Sequence, residues 1–163
     1  MLKTERMDRV RAALRAQGLT QMIVCDPKSV WYLTGVAVEP YERLLALYLP
    51  TEGDPVLFLN RLFNVPEPPC RTVWHTDTDK PVAQIAEVVD AGKPLGIDKE
   101  WPAKFLIPLM ETHPGMQVVL SSDCVDDCRA CKDAEEQALM REASRINDAV
   151  NEAAKHYIKA GMT

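Results

Sequence analysis

LLALYLPTEGDPVLFL, residues 44–59, sets two apolar runs on either side of a short polar bridge. Leu44–Leu49 and Val56–Leu59 are strand-sized, and the bridge Pro50-Thr-Glu-Gly-Asp-Pro55 is rich in turn-formers and too short for a crossover helix. The two runs therefore pair antiparallel, and this hairpin is the clearest local structure in the chain.

Working back from it, Thr4 can cap a helix over residues 5–17, whose apolar positions Met7, Val10 and Leu14 recur at spacings of three and four before Gly18. Met22–Cys25 is an unbroken apolar run of the kind found in strands buried on both faces, stopped by Asp26-Pro27. Ser29–Gly35 reads as one or two helical turns, Ser29 the cap and Gly35 the exit. Working forward, residues 65–70 carry three prolines and cannot form a central strand, whereas Thr72–His75 can form a short one. Pro81 opens a helix with Val82, Ile85, Ala86 and Val89 on one stripe, ended by Gly92. Leu95–Asp98 is the next strand, Pro102 opens a helix that Pro108 would kink, and Met116–Leu120 is a last strand. Asp133 and Glu136 have capping-box spacing, and no Gly or Pro intervenes before Gly161. Between them Leu139, Ala143, Ile146, Val150, Ala153 and Tyr157 form a seam on one face of a helix about 40 Å long. A seam of that length implies a large packing partner.

The chain has 163 residues, 47% of them hydrophobic, which suffices for a core and argues against disorder. Nineteen basic against 24 acidic residues, a net charge of −5, offer no electrostatic footprint for nucleic acid or anionic membrane. No apolar run approaches the roughly 20 residues of a membrane span, and the charged N-terminus lacks a signal-peptide core, so a cytoplasmic setting is expected. Five cysteines in such a chain are expected as reduced thiols rather than a disulfide framework.

Three constellations could carry chemistry. Cys124, Cys128 and Cys131 have the C-x3-C-x2-C spacing that holds an iron–sulfur cluster, but only 32 residues follow, too few for the barrel that accompanies such a loop. Small semi-buried hydrophobes explain them more simply, with Cys124 in the loop before a helix; a zinc site adding His113 lacks paired C-x2-C hairpins. His75, Asp77 and Asp79 alternate, so in an extended segment they would point one way and could ligate a metal; the plainer reading is a polar loop with Asp79 serving the next helix N-terminus. Asp126 and Asp127 beside Arg129 and Lys132 read as local charge pairing. Trp31 and Tyr32 either plug the core or form an aromatic wall beside a ligand. Neither a nucleophile elbow nor a Gly-rich phosphate loop is present.

Taken in order, the segments resemble a known family. A first helix ending in Gly18-Leu19, a buried strand and then DPKSVWYLTG (residues 26–35) resemble the N-terminal signature of the creatinase and prolidase family, with Ser29 where Asn is usual. The run VDDCRACKDAEEQALMREA (residues 125–143) resembles that family's interdomain region at Arg129, Lys132, Glu135, Glu136, Met140 and Ala143.

The resemblance implies a three-layer α/β/α domain over residues 1–130, with a mixed sheet of about six strands and ribonuclease-H-like topology. Residues 131–163 then supply a long linker helix that begins a pita-bread metallopeptidase domain lying beyond the chain. That second domain would hold two divalent metal ions (Mn, Co or Zn) and hydrolyse Xaa-Pro peptides, so the 163 residues themselves carry neither cofactor nor catalytic group. The expected role is that of the non-catalytic N-terminal domain of an Xaa-Pro dipeptidase, giving homodimer contacts and limiting active-site access to short peptides. Trp31, Tyr32, His75 and Asp77 are the candidate access rim, and Leu139, Ile146, Val150 and Tyr157 the candidate interdomain face. The alternative is a peptide- or protein-binding module that keeps the peptidase-like fold without catalysis.

Overall fold

The computed structural model describes residues 2–162. The hairpin forms as its two runs dictate: β2 (Ala46–Pro50) pairs antiparallel with β3 (Val56–Asn60), Ala46 opposite Phe58 and Leu47 opposite Leu57. The run at 22–25 becomes β1 (Gln21–Val24), which lies antiparallel to β2 on one side and parallel to β5 (Leu95–Ile97) on the other. With β4 (Arg71–His75) parallel to β3, and β6 (Val118–Leu120) parallel to β5, the order is β4-β3-β2-β1-β5-β6. This is the mixed six-strand, ribonuclease-H-like sheet that the resemblance implied.

Period-two alternation along the central strands sorts side chains into two cores, one per face. On the first face Met22, Val24, Leu47, Leu49, Leu57 and Leu59 meet α1 (Thr4–Ala16), α2 (Pro27–Thr34) and α5 (Asp123–Ala130). On the second, Ile23, Ala46, Phe58 and Ile97 meet α3 (Pro81–Ala86) and α4 (Ala103–Thr112). All four residues of β1 are buried, as a central strand covered on both faces requires. Each fully buried Leu or Ile contributes roughly 1.5–3 kcal/mol, so these strands dominate the stability of the layered unit.

Several local expectations differ from the structure. Lys3, not Thr4, precedes α1, and no side chain caps it. Asp26 rather than Ser29 caps α2, accepting from the amides of Lys28 and Ser29, with Pro27 in the first turn where its missing N–H costs nothing. Gly35 does supply the left-handed exit, at φ +77. Cys124 lies inside α5 rather than in a loop ahead of it, and Cys131 lies beyond the helix end. Pro108 is accommodated within α4, and the hydroxyl of Thr112 donates to its carbonyl at 2.8 Å.

The chain divides into two compact units, one ending at Arg129 and the other beginning at Ala130. The second consists mainly of α6 (Ala134–Tyr157), opened by a full capping box: the Asp133 carboxylate accepts from the Glu136 amide, and the Glu136 carboxylate accepts from the Asp133 amide. None of its 24 residues is buried. Leu139, Ile146, Val150 and Tyr157 are 65%, 51%, 59% and 76% exposed.

Candidate functional site

Among the described residues of the layered unit, concave sites gather the residues that the sequence singled out. The first is at the carboxyl ends of β3 and β4, where Asn60 and His75 are register partners and both are buried. His75 Nε2 faces the Leu44 carbonyl at 3.1 Å, and a carbonyl can only accept, so Nε2 carries the proton. Nδ1 is then the acceptor toward the Asn60 amide nitrogen at 3.4 Å. That same nitrogen donates to Asp77 Oδ1 at 2.8 Å, and Arg43 closes on Asp77 in bidentate fashion at 2.9 and 3.0 Å. The Arg43 hydrogen bonds hold the Asp77 carboxyl below the usual carboxylate range. A cavity of about 380 Å³ opens here, with Phe105 and Leu44 among its walls.

The expected one-sided array of His75, Asp77 and Asp79 does not form, because β4 ends at His75 and the chain turns. Asp79 bends back to accept from the amide and hydroxyl of Thr76 at 2.6 and 2.8 Å, bonds that lower its pKa, and it does not cap α3. His75 faces inward, and Asp77 faces solvent at 51% exposure.

The second concavity, about 200 Å³, lies at the carboxyl ends of the parallel strands β1 and β5. Asp98 is buried there and accepts from the amides of Asp26 and Glu100, at 2.8 and 2.9 Å, and from the amide and thiol of Cys25. Burial foremost, and then the Asp98 carboxylate, push the Cys25 thiol far up, so it stays protonated. Arg129 reaches Asp26 at 3.1 Å and the Ser29 hydroxyl at 3.0 Å, while Lys99 pairs with Asp126 at 2.5 Å. These charges thus pair mainly across the fold rather than along α5 as the sequence suggested. Ser29, Arg129 and Asp26 unite residues about 100 positions apart that sequence reading had connected only by resemblance.

The third is a groove of about 150 Å³ between α2 and the segment that returns along it, with Trp31 on its wall. The aromatic pair separates: Trp31 is 54% exposed, whereas Tyr32 is 5% exposed. Arg6 stacks on the Tyr32 ring at 4.7 Å, Arg9 donates to its hydroxyl at 2.8 Å, and that hydroxyl reaches the Cys128 carbonyl at 3.2 Å. Sequence reading missed Tyr41, which is 84% exposed and the one non-glycine residue with positive φ (51) among those described. Its neighbours Pro40 and Glu42 are a turn signal, but nothing in the sequence marks the strained residue itself.

Among the described residues no group of three or more His, Cys, Asp or Glu side chains is placed to hold a metal ion. Of the cysteine triplet, Cys124 is buried, Cys128 half-buried and Cys131 exposed. No described helix is long and apolar enough to cross a membrane.

Comparison with known proteins places these features in a family. The family model for the creatinase/prolidase N-terminal domain matches residues 6–131. A probable dipeptidase PepE of Mycobacterium tuberculosis is 28% identical over 161 residues, covering 93% of this chain and 42% of that protein. The crystal structure of dipeptidase PepE from Mycobacterium ulcerans superposes with a TM-score of 0.81 at 26% identity, over 98% of this chain and 45% of the other. The isolated creatinase/prolidase N-terminal domain of an X-Pro dipeptidase from Streptococcus pyogenes shares the fold, with a TM-score of 0.63 at 22% identity, over 76% of this chain and 98% of that one. The chain therefore spans less than half the length of the PepE relatives it matches.

Proposed function

The chain belongs to the creatinase/prolidase N-terminal domain family, and from that premise we propose that it serves as the non-catalytic N-terminal part of a metal-dependent Xaa-Pro dipeptidase. The observation that carries this reading is the match to dipeptidases over nearly the whole chain but only 42–45% of their length. The catalytic half is then supplied by sequence outside these 163 residues.

The donor groups of the described residues do not fit the two divalent metals of the proposed enzyme. A two-metal hydrolase needs several oxygen and nitrogen ligands converging on ions about 3.5–4 Å apart, and the described residues offer no such group. Asp98, the most buried carboxylate, is saturated by backbone amides and a thiol. The metals, Mn, Co or Zn, accordingly belong to the remainder of the protein.

This unit's share of the work is to shape access and assembly. Trp31 and Asp77 are the exposed members of the proposed access rim; Tyr32 and His75 support it from beneath, fixed by Arg9, Asn60 and the Leu44 carbonyl. The apolar stripe of α6 is the proposed interdomain face, and the assembly a cytoplasmic homodimer. The test is made on the product of the whole reading frame. With added divalent metal it hydrolyses Xaa-Pro dipeptides, loses the activity to a chelator, and sediments as a dimer, while the 163-residue chain alone has no activity. Hydrolysis by the 163-residue chain, or its absence in the metal-loaded whole product, overturns the reading.

A further inference from the structure

The groove between α2 and residues 36–40 combines three features that the fold does not require. Trp31 leaves a large aromatic face in solvent beside the apolar walls Pro27 and Val38. Along the opposite wall, the backbone amides and carbonyls of Ala37, Val38 and Glu39 make no hydrogen bond within the described residues, although the strip runs free of helix or strand. At the rim, Lys28 Nζ and Glu39 Oε1 stand 3.7 Å apart, both about two-thirds exposed at 64% and 65%, a pairing too solvated to hold firmly.

Each feature answers one part of a short extended peptide. The free amides of the strip can donate to a peptide's carbonyl, the one backbone partner that an Xaa-Pro bond still offers because its proline nitrogen carries no hydrogen, and an aromatic wall between apolar neighbours docks a proline ring whose conformation is already restricted. An ammonium group beside a carboxylate matches the two charged ends of a free peptide. We propose that this groove binds short proline-containing peptides in extended form, the pyrrolidine ring against Trp31, the C-terminal carboxylate on Lys28 and the N-terminal amine toward Glu39. The choice of proline rests on the reading given above; the groove would act as a docking subsite on the non-catalytic unit, ahead of any hydrolysis.

The experiment titrates the isotopically labelled 163-residue chain with the dipeptide Ala-Pro and follows its amide and indole resonances. Ala-Pro should move the signals of Ala37, Val38, Glu39 and the Trp31 indole, with a dissociation constant on the order of 1 mM for so small a ligand. Ala-Pro amide, which lacks the carboxylate, should bind roughly 10-fold more weakly, as should Ala-Pro to the Lys28→Gln chain. Trp31→Ala should abolish the shifts while the rest of the spectrum keeps its dispersion. Should that variant lose its fold, Trp31→Phe keeps an aromatic wall and should weaken binding several-fold. Absence of shifts at about 20 mM, equal shifts from Ala-Ala, or unchanged binding by Trp31→Ala overturns the proposal. The two readings separate cleanly: an active whole enzyme whose groove ignores Ala-Pro sinks the groove alone, and a groove that binds Ala-Pro in a product without hydrolysis sinks the enzyme alone.

Discussion

At the scale of single residues, the meeting point of β1 and β5 makes the sharpest demands. Gly96 sits where an added Cβ would meet the Ser121 hydroxyl oxygen at 2.5 Å and the Gln21 carbonyl at 3.2 Å. Gly96→Ala must displace the Ser121 hydroxyl from the Ile97 carbonyl and crowd the Gln21 carbonyl, and it should destabilise the unit by about 1–3 kcal/mol in urea unfolding. Beside it, Cys25 is held as a neutral thiol by burial and the Asp98 carboxylate, and burial raises Tyr48, Cys70 and Cys124 in the same direction. A pKa raised on folding means stability that is complete below the ordinary thiol value and fades above it. The urea midpoint should thus fall as pH rises beyond about 8.5, and Cys25→Ala should flatten that decline; a midpoint unchanged to about pH 10 would contradict this. The native chain should alkylate at exposed Cys131 well before Cys25, as peptide mass mapping would show. Residue-level detail was the least legible in the sequence. Asp26 was missed as the cap of α2 because Ser29 also fits the capping preference, although Pro27 in the first turn is the signal that favours Asp26. The role of Asp98 was invisible because its partners, Cys25 and Asp26, are more than 70 positions away.

At the scale of elements, pattern sufficed where structure is local. The hairpin of β2 and β3 follows from two apolar runs and a turn, and α6 from its six-residue seam and capping box. Asp133→Ala removes one half of that box and should cost about 1 kcal/mol of helix stability, read as lost helicity at the start of α6 by amide exchange. β4 was legible as a strand but not in its pairing. The link from β3, residues 61–70, looks like a proline-rich excursion, yet it brings β4 back parallel in full register from Val56 with Arg71 to Asn60 with His75. Parallel pairing is fixed by the rest of the sheet, not by the linking residues. The same override folded the His75 to Asp79 stretch into a turn, so an alternation that suggested a ligand array became a cavity wall.

At the scale of the whole molecule, the two units differ in how they use apolar residues. The layered unit hides most of its large hydrophobics in two cores and exposes a scattered few, while α6 displays Leu139, Met140, Ile146 and Val150 to solvent. Single exposed apolar residues are ordinary, but a helical stripe of them is an interaction surface in wait. Studied by itself, the 163-residue chain should therefore self-associate as concentration rises. Ile146→Glu combined with Val150→Lys should suppress that association in sedimentation velocity without moving the unfolding midpoint of the layered unit; association unaffected by the pair would refute the assignment. The boundary between the two compact units was readable from the change in pattern near residue 130, because that is where alternating short elements give way to a single long helix.

The sheet order also sets a schedule. β1 pairs with β2 early in the chain, but its other neighbour, β5, arrives only with Gly96 and Ile97. On a ribosome that emits the chain from its N-terminus, β1, β2 and β3 can assemble while one edge of β1 still lies open, waiting for a strand more than 70 residues downstream. Closing that gap is the slow, long-range step, and it also delivers Asp98 to the waiting amides of Cys25 and Asp26. Nascent chains stalled before residue 98 would hold a half-built sheet with a bare central edge, a natural target for chaperones.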